Sequence, residues 1–223
     1  MRVALRRVRA GLSVVRPLVE PDGFSQELAW LAKALGEVRD RDVLLEILRE
    51  DFPDELGLAV AMKLERDRAL DEARSALKSE RYRNLLVRSP VLARDAPMIA
   101  IAPEVLRRRE KKWRKACAHA ERPEEWHDAR IHGKKLRYAL ELFAPETPFA
   151  GEAADRLGKL QDVLGSHHDL YVLHVWALER NRSLEIDLRP LERKAADLAE
   201  EVGGYVSRAR RAAERRLRRA WRS

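Results

Sequence analysis

Along most of the chain apolar residues recur every three or four positions, the spacing of a helix that buries one face. Prolines at 17, 21, 53, 90, 97, 103, 123, 145, 148 and 190 cut this pattern into segments. Proline is tolerated at the start of a helix or outside it, not in the interior. The spacing therefore predicts helices at about 1–19, 24–50, 54–92 with a break near Ser79, 103–121, 123–144, 150–180 and 188–221. Pro103-Glu104 and Pro123-Glu124-Glu125 read as first turns, with proline leading and acids at the positive end of the helix dipole. Ser89–Ala102 is the longest candidate linker, and no segment reads as a convincing strand. The expected class is all-α.

The pattern also repeats. Met1-Arg-Val-Ala-Leu-Arg-Arg-Val-Arg-Ala10 matches Ala129-Arg-Ile-His-Gly-Lys-Lys-Leu-Arg-Tyr138 at a shift of 128. Arg2, Arg6, Arg7 and Arg9 fall on Arg130, Lys134, Lys135 and Arg137, so each basic position stays basic. Further on, Leu35-Gly36 and Asp40 match Leu164-Gly165 and Asp169 at a shift of 129. The chain reads as two homologous halves, 1–95 and 103–221. The second half has four expected helices, and nothing before Met1 matches the one at 103–121.

Composition narrows the class. Of 223 residues 45% are hydrophobic and 37% charged, too apolar for a disordered chain of that charge. The single cysteine, Cys117, excludes a disulfide framework and a cysteine-based zinc site, and reads as a small buried hydrophobe. No apolar stretch is long enough to span a bilayer, and no secretory leader pattern opens the chain. A soluble, reducing-compartment protein is expected.

The net charge is +8 and its placement is uneven. Residues 1–16 hold five arginines and no acid; 107–115 hold seven bases and one acid. Residues 129–138 hold four bases and no acid; 205–223 hold eight bases and one acid. Those segments together carry +22 and the rest of the chain −14. Such segregation points to a polyanionic partner.

On a helix of about 100° per residue, Arg2, Arg6, Arg9 and Arg16 share an arc of about 80°, as do His127, Arg130, Lys134 and Arg137. Leu5, Val8, Leu12 and Val15 form an apolar stripe beside the first arc; Leu136, Ala139, Leu140 and Phe143 form one opposite the second. Cations one turn apart repel unless solvated or matched by an anion. A linear phosphate polymer offers such a row, and the arginine fork suits its oxygens. Glu141 shares the arc of Arg137, and Asp40 and Asp169 are candidates to hold the arginines in place. His127 could donate to a phosphate oxygen or accept a phosphoryl group. Adjacent His167, His168 and Asp169 point about 100° apart and do not converge on one metal ion. There is no glycine-rich phosphate loop, nucleophile elbow or Ser/His/Asp arrangement.

His127-Asp-Ala-Arg130-Ile-His-Gly-Lys134-Lys135-Leu-Arg137-Tyr138, with Glu141-Leu-Phe143, resembles the motif of the CHAD domain, the conserved histidine α-helical domain. Leu160-Gln161-Asp-Val-Leu164-Gly165 with Asp169 resembles it too, as do Met1-Arg2-Val3 through Arg9 and Leu35-Gly36 with Arg39-Asp40. The resemblance covers nearly the whole chain. It implies two four-helix units related by a pseudo-twofold, with basic side chains and histidines of both motif helices lining a basic surface. It also implies binding of inorganic polyphosphate, cytoplasmic location at polyphosphate granules, and no established catalysis. The departure is at the start: the family's first motif opens with a histidine and a preceding helix, and here the matching stretch begins at Met1.

The expectation is thus a non-catalytic polyphosphate-binding domain without cofactor or metal. Its candidate contacts are Arg2, Arg6, Arg9, Arg16, His127, Arg130, Lys134, Lys135 and Arg137, extended by Arg108, Lys112, Lys159, Arg211 and Arg215. The alternative partner is a nucleic-acid backbone on the same face, although no aromatic stacking stripe interleaves the bases. A third reading, phosphoryl transfer through His127, has no general base or magnesium-binding carboxylates behind it. Helix 103–121 should bury Trp113 against 123–144. Leu5, Val8, Leu12 and Val15 should be less covered than Leu136, Leu140 and Phe143. An uncovered stripe would lower the stability of the chain or drive a homodimer through the first half.

Overall fold

A computed structural model describes the chain apart from residues 20–22, 92–96, 119, 121–122, 146–147, 185–187 and 221–223. Side chains are also undescribed at 123–124, 148–149, 181–184, 201, 205–206, 208–210 and 212–220. The described residues form eight α-helices and no strand ladder: α1 (Arg2–Val15), α2 (Phe24–Asp51), α3 (Leu56–Lys78), α4 (Glu80–Leu86), α5 (Ala102–Ala118), α6 (Pro123–Phe143), α7 (Pro148–Leu184) and α8 (Arg189–Ala220). The fold is all-α, as the apolar spacing predicts.

Local chemistry sets the boundaries. The first helix was expected to reach residue 19 but ends at Val15, and Arg16–Leu18 tighten into a 3-10 turn. Pro17 has no N–H to give and its ring crowds the carbonyl four residues back, so the α-helix cannot run through it. Gly23 opens α2 at φ 81°, a left-handed backbone that glycine adopts without a Cβ clash. The break expected near Ser79 separates α3 from α4. Its backbone is extended, and its Oγ accepts a hydrogen bond from the Tyr82 N–H at 3.1 Å, capping the new helix. Within the expected linker, Met98–Ile101 form a 3-10 turn leading into α5.

Packing divides the chain into two compact units: Met1–Asp95 with Asp169–Arg193, and Ala96–His168 with Lys194–Ser223. This division differs from the sequence halves, because 169–193 belong to the first unit. In that unit Leu5, Phe24, Leu28, Leu31 and Leu85 form a buried cluster, flanked by Leu12, Trp30, Leu35, Leu77 and Tyr82. Arg81 joins α4 to α2 by donating two hydrogen bonds to Glu27 while its guanidinium lies 4.3 Å from the Trp30 ring centre. Glu65 of α3 accepts from the Trp176 indole and the Arg180 guanidinium, tying the end of α7 to α3.

The second unit is built on α5, α6 and the start of α7. Trp113, Leu136, Ala139, Leu140, Phe143 and Leu157 are buried there, and so is Cys117. Trp113 lies against Gly133: a Cβ at that position would sit 3.4 Å from the indole nitrogen. The bare glycine lets α5 and α6 approach closely. In α1 the expected stripe is only partly realised. Leu5 and Val14 are buried, Leu12 and Val15 are half-buried, and Val8 is 47% exposed. No described helix is long and apolar enough to cross a membrane.

Candidate anion-binding site

Helices α6 and α7 run antiparallel through the site of the second unit. The Arg137 guanidinium lies over Gly158, where a Cβ would stand 3.3 Å from Nη1; Gly133 faces Gln161; and the His127 ring centre is 4.7 Å from that of His168. Positions rise along one helix as they fall along the other. The small residue at 158 leaves room for a long cationic side chain to lie along the contact.

The electrostatics single out His168. Its imidazole is pushed down to about 4, first by burial and then by Arg130, His127, Lys134 and His167. A half-buried ring is thus held neutral among cations. The Arg130 Nε is buried and makes no hydrogen bond among the described residues. Arg137 is partly neutralised, with its Nε 3.0 Å from Glu141, as their shared arc suggests. Trp126 buries the neighbouring His167 by an edge contact, with ring centres 4.8 Å apart, and donates its indole N–H to the Ala120 carbonyl.

The first unit carries a related cluster on α1 and α2. Arg2 is held below the usual guanidinium range, first by burial and then by Arg6 and Arg39, with Asp40 and Asp42 opposing. Asp42 also accepts from Arg66 at 3.0 Å, so its charge is shared. Arg9 and Arg16 flank a groove of about 570 Å³ floored by Leu12 and Leu28, with Ser13, Ser25 and Gln26 on its walls.

His168 and Arg39 were not among the residues expected to bind. The signal was present: at the 129-residue shift that aligns Leu35-Gly36 with Leu164-Gly165, Arg39 falls on His168. Each motif helix therefore has beside it a cationic or protonatable side chain from the next helix, at the same place in the repeat. His168 converges with His127 of α6 rather than with its neighbour His167. Among the described residues no group of three or more His, Cys, Asp or Glu is placed to hold a metal.

Other expected contacts lie elsewhere. Lys112 lines a second groove of about 440 Å³ with Lys115, Glu125, Asp128 and His132. His132 is lowered by burial and then by Lys135, with Asp128 opposing and Lys112 also lowering it. On α6 the groove's lining residues Glu125, Asp128 and His132 are turned roughly 140–160° from Arg130. Arg108 is exposed beside Arg109, whose guanidinium turns inward and donates to the Lys135 carbonyl. Lys159 and Arg211 are exposed, and the side chain of Arg215 lies outside the described residues.

The second-unit cluster thus offers two fixed cations, Arg130 and Lys134, and two imidazoles, His127 and His168. Such a set can receive several anionic oxygens, and a neutral ring can donate one N–H and take up a proton as the anion arrives.

The family model of the CHAD domain matches residues 1–178. No curated protein matches the chain. Among solved structures, PptA from Streptomyces chartreusis is similar over 100% of this chain and 88% of its own, with a TM-score of 0.70 and 21% identity. The CHAD domain from the plant Ricinus communis is similar over 92% of this chain and 73% of its own, with a TM-score of 0.63 and 26% identity.

Proposed function

The chain belongs to the CHAD domain family, and from that premise we propose that it binds inorganic polyphosphate, without catalysis, through the basic faces of α1 and α6. The observation that carries the reading is geometric: the His127 and His168 rings meet across α6 and α7 beside Arg130, whose buried Nε makes no hydrogen bond among the described residues. Burial first, and then Arg130, His127, Lys134 and His167, hold His168 below the ordinary imidazole range, and an anion bound there would oppose the part due to the cations. Arg2, Arg6 and Arg39 give the first unit a cluster of the same kind. In the cell the protein would sit in the cytoplasm at polyphosphate granules.

Binding should weaken steeply with salt, as released counterions require. Arg130→Glu should cost about ten- to a hundred-fold in affinity, the loss expected of a charge-assisted contact. Arg2→Glu tests the first unit separately. Saturating polyphosphate should also raise the His168 pKa from about 4 toward the ordinary imidazole range, followed by NMR titration of the ring. Unchanged affinity in both variants, together with an unmoved His168, overturns the reading. DNA or RNA displacing polyphosphate at equal phosphate concentration would move it to the nucleic-acid alternative.

A further inference from the structure

The groove between α1 and the start of α2 holds about 570 Å³, within the range of small-molecule pockets. Its floor is apolar. Leu28 belongs to the buried cluster of the first unit, and Leu12 packs against that cluster. Ala29, one residue further along α2, extends the floor. The surface thus rests on packed side chains and is formed before any ligand arrives. A bare phosphate polymer has no group that gains from covering it.

The rim is cationic. Arg9 and Arg16 are rooted about 10 Å apart along one face of α1 and its closing turn. Both are exposed, and neither makes an ion pair among the described residues. At the Gly23 end a third guanidinium, that of Arg88, comes within 4.0 Å of where a Cβ on that glycine would lie. Glu27 of α2 is taken up by its two hydrogen bonds from Arg81. Ser25 and Gln26 add a hydroxyl and an amide to the wall, and the amide can donate and accept together.

These parts ask for an anion with a planar, apolar body that carries polar edges. Two arginine forks rooted so far apart favour a charged end of more than one phosphate. An acyl chain would cover the floor but set Ser25 and Gln26 against hydrocarbon, at a cost in desolvation. A nucleobase covers the same floor and gives the amide a partner. We propose that this groove binds a nucleoside triphosphate, with the base against Leu12 and Leu28, its edge at Gln26, and the phosphates on Arg9 and Arg16. The site is made by the first unit and stands whether or not the chain binds polyphosphate. Arg9 and Arg16 also lie on the arc offered to the polymer, so the two ligands would compete there; that consequence rests on the function proposed above.

Isothermal titration calorimetry of the intact chain with ATP and with UTP, free of divalent cations, tests the proposal. At least one of them should bind with one site per chain in the first unit. Ala29→Phe fills the floor without touching the charge. It should weaken the nucleotide at least tenfold and leave both the affinity for inorganic tripolyphosphate and the far-ultraviolet circular dichroism unchanged. Arg16→Ala should weaken the nucleotide about tenfold, whereas Arg130→Glu, in the other unit, should leave it within twofold. A chain that binds neither nucleotide overturns the proposal. So does binding indifferent to Ala29→Phe, a tripolyphosphate affinity that falls as far as the nucleotide's in that variant, or nucleotide binding lost in Arg130→Glu instead of Arg16→Ala.

Discussion

The two motif helices carry matching cations and differ in how they are covered. Val8 of α1 and Leu136 of α6 occupy the same place in the repeat, yet one is 47% exposed and the other 0%. Leu12 is half-buried where Leu140 is fully buried. The difference comes from α5, which lays Trp113 against Gly133 and closes the apolar side of α6. On α1 the buried side chains are Leu5, which packs on Phe24, Leu28 and Leu31 of α2, and Val14. A shared cationic pattern thus does not require a shared packing environment. It needs only that bases outnumber acids along one arc, which both helices satisfy even though Glu141 shares the arc of α6.

Truncation should break the comparison most visibly. Trp113→Ala removes the largest fully buried side chain of the second unit and should cost about 3–5 kcal/mol in urea unfolding. Val8→Ala, at an exposed site of α1, should stay within about 0.5 kcal/mol. Equal losses would mean that α5 does not account for the difference between the helices.

The histidine at the second cluster gives an intermediate effect. His168 is depressed in the folded chain, so the unfolded chain binds the proton first as pH falls. The stability tied to its neutrality is present above the unfolded imidazole value. It is lost as pH falls from there through the folded value of about 4. With solvent screening of a half-exposed ring, that loss is roughly 1–2 kcal/mol. His168→Gln should flatten this part of the pH profile. A profile unaltered by His168→Gln would contradict this assignment.

The smallest effect concerns glycines that the repeat shares. A Cβ at Gly36 or Gly165 would meet nothing within 4 Å, and both lie inside helices. Each should gain about 0.5–1 kcal/mol on replacement by alanine, read as a rise in melting temperature. A loss at either would indicate a close contact at that position.

Much of the helical framework was legible because its causes are local. The 3.6-residue spacing, Ser79 as a cap and the prolines at element ends act within a turn or two of chain, and they placed most helices to within a few residues. Pro17 ends α1 at Val15, four residues short of the end that apolar spacing alone predicts. The basic arcs were legible for the same reason: which cations share a helix face follows from helical geometry alone. The pairing of those arcs with a neighbouring helix was not. His168 reads from sequence as one of two adjacent histidines, and only the antiparallel packing of α7 on α6 brings it to His127 and the cations. Lys112 shows the converse, since charge density grouped it with Arg130 whereas packing places it at another groove.

The sequence by itself determined that this is a helical protein with a repeated cationic motif, because periodicity and charge are properties of position along the chain. Tertiary structure decided which cations act together, which apolar stripe is covered and which stays open. Those outcomes depend on how one helix is rotated against another, and that rotation is set by contacts such as Trp113 on Gly133 and Arg137 on Gly158 between residues far apart in the chain.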